Sequence, residues 1–144
     1  MSKRVIIEHT QFREWLTMKP YASTQRDKHE IKNKLLNDMR VFYADKWDRL
    51  KRETKDCLDF ICYSAASRGF CYASQQYLSL NFNVSQSTVR RIMRELSQGG
   101  LIKIAYRRNG SLNCPKKPVY FLVNHPAYGR YASLFAHDDR VDGI

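Results

Sequence analysis

Ser85, Gln86, Ser87 and Thr88 place three hydroxyls and one carboxamide in consecutive positions, and Arg90, Arg91 and Arg94 follow at once. Hydroxyls and amides donate and accept hydrogen bonds, while a guanidinium donates in a planar fork that matches phosphate oxygens and the acceptor edge of guanine. The succession suits a polyanion that also offers hydrogen-bonding edges. A second basic set stands at Arg107, Arg108, Asn109, Lys116 and Lys117. The 144-residue chain has a formal net charge of +11, and residues 85–118 carry eight cations against Glu95 alone. Residues 1–60 balance 14 basic against 10 acidic residues, the mixed pattern of a solvated helical surface.

Other chemistries find less footing. Cys57, Cys62, Cys71 and Cys114 have no C-x2-C spacing, so they read as small core hydrophobes rather than zinc ligands or disulfides. His9, His29, His125 and His137 are scattered. A Gly-rich phosphate loop, a nucleophile elbow and a framed pair of carboxylates are all missing. The expectation is a non-enzyme without metal or cofactor. No apolar run approaches the roughly 20 residues of a membrane span. Val5, Ile6 and Ile7 are too few for an export signal, whose apolar region needs about 7–15 residues. A cytoplasmic, nucleoid-associated protein is therefore expected, with no membrane partner.

The elements that must position the basic residues can be read from periodicity. Residues 1–26 are poorly periodic and Pro20 blocks a continuous helix, so they read as a flexible basic arm. Phe12, Trp15 and Leu16 have the spacing of one amphipathic turn. Ile31, Leu35, Met39 and Phe42 recur at helical spacing in residues 27–48. That stripe is a dimerisation candidate, and packing on its own domain is the competing reading. A second helix over 49–67 carries Leu50, Cys57, Leu58, Ile61, Cys62 and Ala65 on one face, and Gly69 suits its stop. Arg68 reads as a cation favourably placed at that helix end. Tyr63, Tyr72, Tyr77, Phe82, Tyr120 and Phe121 read as core rather than as a base-stacking platform.

Ser74 is a good N-cap for a short helix over 75–81, and Asn83 tolerates the left-handed turn that would follow. Val84 and Val89 bracket Ser85 as a hydrophobic staple across a second N-cap. Val89, Ile92, Met93 and Leu96 form the buried stripe of the helix that stops at Gly99-Gly100. Small Ser79 lets the two helices cross steeply. Leu101–Arg107 and Val119–Val123 read as the strands of a hairpin, with Pro118 at the entry of the second. On periodicity alone, the helix from Gln86 to Gln98 reads better as an amphipathic core helix with a solvated basic face. The staple, turn, small residue, Gly stop and basic hairpin occurring together favour a helix that enters the major groove, with the hairpin on the backbone or in a minor groove.

The run Val84-Ser85-Gln86-Ser87-Thr88-Val89-Arg90-Arg91, with Leu96 and Gly100-Leu101-Ile102, resembles winged helix-turn-helix DNA-binding domains of bacterial regulators, the GntR type among them. The stretch Ala44-Asp45-Lys46-Trp47 before a helix, with Asn109-Gly110-Ser111 in the wing, is similar to small helix-turn-helix proteins of Bacillus-type bacteria, their plasmids and phages. Asn83 stands where the turn Gly is usual, and the wing loop with Cys114 and Pro115 is long. Only 21 residues follow Val123, so an effector domain of the GntR kind is not expected.

The resemblance implies an α+β winged helix-turn-helix domain, three helices plus a β-hairpin wing, over residues 49–123. An additional helix precedes it and a tail or short helix over 124–144 follows, with Tyr128, Tyr131, Leu134 and Phe135 as docking residues. It implies sequence-specific binding of double-stranded DNA by a homodimer that regulates transcription. Ser85, Gln86, Ser87, Thr88, Arg90, Arg91 and Arg94 would form the recognition helix, and Arg107, Arg108, Asn109, Lys116 and Lys117 the wing. Replication initiation or partition, with a protein partner in that machinery or in transcription, uses the same fold. A protein-interaction module built on it is the reading from another class.

Overall fold

The computed structural model describes residues 4–108 and 117–136. Among these residues the chain is α+β, with five α-helices and one four-stranded mixed sheet. Strand β1 (Ile6–Ile7) and helix α1 (His9–Thr17) come first, followed by α2 (Gln25–Tyr43) and a 3-10 segment (Ala44–Arg49). Then come α3 (Arg52–Ala66), β2 (Phe70–Cys71), α4 (Gln75–Phe82) and α5 (Gln86–Gln98). The hairpin strands β3 (Ile102–Arg107) and β4 (Lys117–Leu122) lead into 3-10 turns at Tyr128–Arg130 and Ala132–Phe135. The sheet order is β1-β3-β4-β2, with β1 parallel to β3 and β4 antiparallel to both of its neighbours.

Local chemistry accounts for the helix limits. Thr24 caps α2 by accepting from the Asp27 N–H at 3.1 Å, one of the donors a helix start leaves unpaired. The helix ends where Ala44 takes φ +54°. On α2, Leu35, Met39 and Tyr43 are buried against Leu58, Ile61 and Cys62 of α3, and Lys32 bonds Asp59 at 3.1 Å across the pair. Helix α3 stops at Gly69, whose φ of +102° suits a residue without Cβ. The Gly69 N–H closes on the Ala65 carbonyl at 2.7 Å.

Strand alternation divides the sheet's side chains between two cores. Cys71, Ile102, Tyr120 and Leu122 face the helices α2–α5. Phe70, Ala105, Val119 and Phe121 face the other way, onto Ile7, Phe12, Trp15, Tyr131 and Phe135. Both faces are therefore covered.

The expectation of a flexible N-terminal arm is corrected for the described residues. Ile6 and Ile7 pair with Tyr106 and Arg107, Phe12 and Trp15 are buried, and Arg68 ties down the end of α1. Its guanidinium donates to the carbonyls of Trp15, Leu16 and Met18 at 3.2, 2.8 and 3.3 Å. Arg68 thus caps a different helix from the one its sequence position suggested.

The dimer stripe is corrected too. Leu35 and Met39 belong to the chain's own core, and Ile31 packs at its edge. Phe42, 37 % exposed, lies against Gly99 and leaves no room for a side chain there. Tyr72 and Tyr77, expected in the core, are 43 % and 46 % exposed. The second hairpin strand begins two residues early, with Pro118 opposite Tyr106. Of the expected docking residues in the tail, Tyr131 and Phe135 are buried, and Tyr128 and Leu134 pack at their margin.

Candidate nucleic-acid interface

Helices α4 and α5 are held at a fixed crossing by a turn made almost wholly of side-chain and backbone hydrogen bonds. Ser74 caps α4 by accepting from the Tyr77 N–H at 3.0 Å. Asn83 takes the left-handed conformation, φ 55° and ψ 45°, and its N–H bonds the Ser79 carbonyl. Ser79 contributes more than small size, since its hydroxyl donates to the Val84 carbonyl and closes the turn. Ser85 caps α5 by accepting from the Thr88 N–H at 3.1 Å and donates to the Thr88 hydroxyl at 2.8 Å. Val89, Ile92, Met93 and Leu96 then bury one face of α5.

What remains outward is polar. Gln86, Ser87, Arg90, Arg91 and Arg94 are exposed. Thr88 is half-buried with its hydroxyl engaged in the cap, so it serves the helix start before any ligand. The three arginines are not equivalent. Arg91 leans toward Glu95 at 4.0 Å, and Glu95 also accepts from the Tyr43 hydroxyl at 3.0 Å, which fastens α5 to the end of α2. Burial raises the Tyr43 pKa, and the Glu95 hydrogen bond adds to it, so this phenol stays a donor. Arg90 and Arg94 instead turn toward the hairpin. With Gln75, Ser97, Tyr106 and Tyr120 they line a cleft of about 310 Å³ that contains no acidic side chain.

Tyr120 is buried, and its hydroxyl has no hydrogen-bond partner among the described residues. Desolvation pushes its pKa up and keeps it protonated. Gln75, Tyr106 and Tyr120 were not foreseen as site residues. The strand parity of Ile102 and Ile104 was the available signal for Tyr106.

The hairpin cations are placed differently from the expectation. Arg107 falls on the outer side of the sheet, its guanidinium 5.0 Å from the Phe12 ring and 5.5 Å from the Tyr72 ring. Arg108 pairs with Glu8 at 3.4 Å. Lys117 is exposed and sits opposite Arg107. Asn109 and Lys116, with Gly110, Ser111, Cys114 and Pro115, lie outside the described residues. Basic charge is thus divided between the α5–hairpin cleft and the hairpin's root.

Among the described residues no cluster of His, Cys, Asp and Glu could hold a metal ion. Cys57, Cys62 and Cys71 are buried free thiols. Desolvation pushes Cys57 up to about 12 and raises the other two, which suppresses the reactive thiolate. Among the described residues no helix is long and apolar enough to cross a membrane. No protein-family model, curated protein or solved structure matches the chain.

Proposed function

We propose that the chain is a winged helix-turn-helix protein that binds double-stranded DNA at a specific site and regulates transcription, or plasmid or phage replication. The observation that carries the reading is the exposed polar start of α5 beside the acid-free cleft of Arg90 and Arg94. Helix α5 enters the major groove, which is about 12 Å wide, and Gln86 and Ser87 reach base edges from its first turn. One strand's phosphates run between α5 and the hairpin, where Arg90 and Arg94 neutralise them. The order α3, β2, α4, α5 and hairpin, with β2 paired to β4, supports the winged-helix assignment.

Genomic-fragment selection followed by footprinting identifies the site. On that site, Arg90→Ala is expected to weaken binding by about 1–3 kcal/mol and to relax sequence preference if it reads a base. Arg94→Ala should weaken binding to all sequences and reduce the salt slope by about 0.9 per lost phosphate contact. Mobility shifts unchanged by both substitutions would refute the groove assignment. Absence of any salt-dependent DNA binding would favour the protein-interaction module.

A further inference from the structure

We propose that the pocket at the root of the hairpin, on the side away from the α5 cleft, binds a small planar aromatic anion. Its volume is about 410 Å³, inside the range of roughly 300–1,000 Å³ usual for small-ligand sites. Phe60 of α3, Tyr72 of the β2–α4 link and Tyr77 of α4 supply three rings, and Arg107 and Lys117 supply two cations. Ser64 and Ser74 add hydroxyls, and no acidic side chain lines the space.

The two tyrosines stand with nearly half their surface in solvent. The Phe60 and Tyr77 rings lie 5.8 Å apart at 36°, a tilted pair open to a further ring. Arg107 and Lys117 are direct cross-strand neighbours, and like charges so placed repel. The Arg107 Nε is shut away from solvent without an acceptor among the described residues, and the guanidinium, which lies over the Phe12 and Tyr72 rings, has no carboxylate among the pocket-lining side chains. The neighbouring acid Glu8 is drawn to Arg108 instead. An anionic group on the ligand offsets both cations, and an attached flat ring stacks on the tyrosines. A nucleotide and an aromatic carboxylic acid share this chemistry. An occupant would bridge α4 to both hairpin strands.

Calorimetric titration of the full chain without DNA tests this, with adenosine 5′-monophosphate and benzoate as probes and with adenosine and inorganic phosphate as half-ligand controls. At least one probe should saturate at one per chain, about ten-fold or more tighter than the halves of the nucleotide. Nucleotide binding without benzoate binding assigns the nucleotide class, and the reverse assigns the carboxylic acid. Tyr77→Ala and Arg107→Met should each weaken binding about ten-fold or more, while Tyr77→Phe retains it. On the unsubstituted chain, ligand ring protons should show nuclear Overhauser contacts to Tyr72 and Tyr77, which keeps the test independent of how the variants fold. No saturable binding by either probe, binding indifferent to both substitutions, or absence of those contacts overturns the proposal. Because no DNA is present, its failure leaves the DNA-binding reading standing, and the converse holds.

Discussion

The two faces of the sheet are filled by different chemistry drawn from different parts of the chain. Toward the helices the core is aliphatic and sulfur-rich, with Leu35, Met39, Leu58, Ile61, Cys62 and Leu96 from neighbouring elements. On the opposite face it is aromatic. Trp15, Phe70, Phe121, Tyr131 and Phe135 meet with ring centroids 5.0–6.1 Å apart, with Trp15 and Phe135 coming from opposite ends of the described chain and Phe70 from its middle. The helix core draws on the chain from Leu35 to Leu122, whereas the aromatic layer needs the terminal segments at both ends of the described chain as well.

Polar bonds compensate for that distance at the corner between α3 and β2. The Ala22 N–H bonds the Ser67 carbonyl at 3.1 Å, and Arg68 holds the end of α1. The Tyr131 hydroxyl donates to the Arg68 carbonyl at 2.8 Å, and His125 Nε2 lies 2.8 Å from the Ala66 carbonyl. A carbonyl only accepts, so Nε2 carries the proton, and Nδ1 accepts from the Ala127 N–H at 2.9 Å. Both terminal segments are fastened to the same three residues, Ala66, Ser67 and Arg68.

The largest effect expected is from Phe121→Ala, which removes the centre of the aromatic layer at a cost of about 3–5 kcal/mol. That is a large share of a typical domain stability of about 5–15 kcal/mol. If the layers open separately, Trp15 fluorescence should change at lower urea than helical circular dichroism, and coincident curves would make the two faces one cooperative unit. Next is Arg68→Met, expected to cost about 1–3 kcal/mol through lost hydrogen bonds from a charged donor. Amide exchange should then quicken in His9–Thr17 more than in α5, and equal quickening would contradict local anchoring.

The smallest effect is a pH dependence. Burial holds the His125 imidazole below its ordinary pKa, which is about 6.5. As pH falls below that value the unfolded chain takes up the proton first. The stability contribution is therefore complete above about pH 6.5 and lost as pH falls through the folded-state value. Urea midpoints at about pH 7.5 and about pH 5 should show the loss. His125→Gln should reduce it, and an unchanged slope would move its source elsewhere.

Legibility followed the same division. Ser74, Asn83, Ser85 and Gly69 were readable because a cap or a positive φ is set by a few adjacent residues. The α5 stripe was readable because one face of it is fully buried. Strand β1 was not, since it is two residues long and pairs with Tyr106 and Arg107 far downstream. Helix α1 offered only Phe12, Trp15 and Leu16, too short a pattern to identify the aromatic face that covers it. Of the site, the polar start of α5 and the Arg90–Arg94 flank were legible. Composition groups Arg107 with the other wing cations, but its strand parity with Ala105 puts it on the outer face. Tyr72 and Tyr77 were misplaced because aromatic type alone does not say which side of a short link is covered.

The meeting of both terminal segments at residues 66–68 has a consequence for how the chain is made. A ribosome releases residues 4–22 before the rest of the described chain, yet the surface that receives α1 includes Phe121, Tyr131 and Phe135. The first strand cannot pair until Tyr106 and Arg107 have emerged. That segment is therefore among the last to settle, leaving Phe12 and Trp15 uncovered until those residues are made. Such long-separation contacts slow folding, and the uncovered Phe12 and Trp15 give the incomplete chain an aggregation-prone surface.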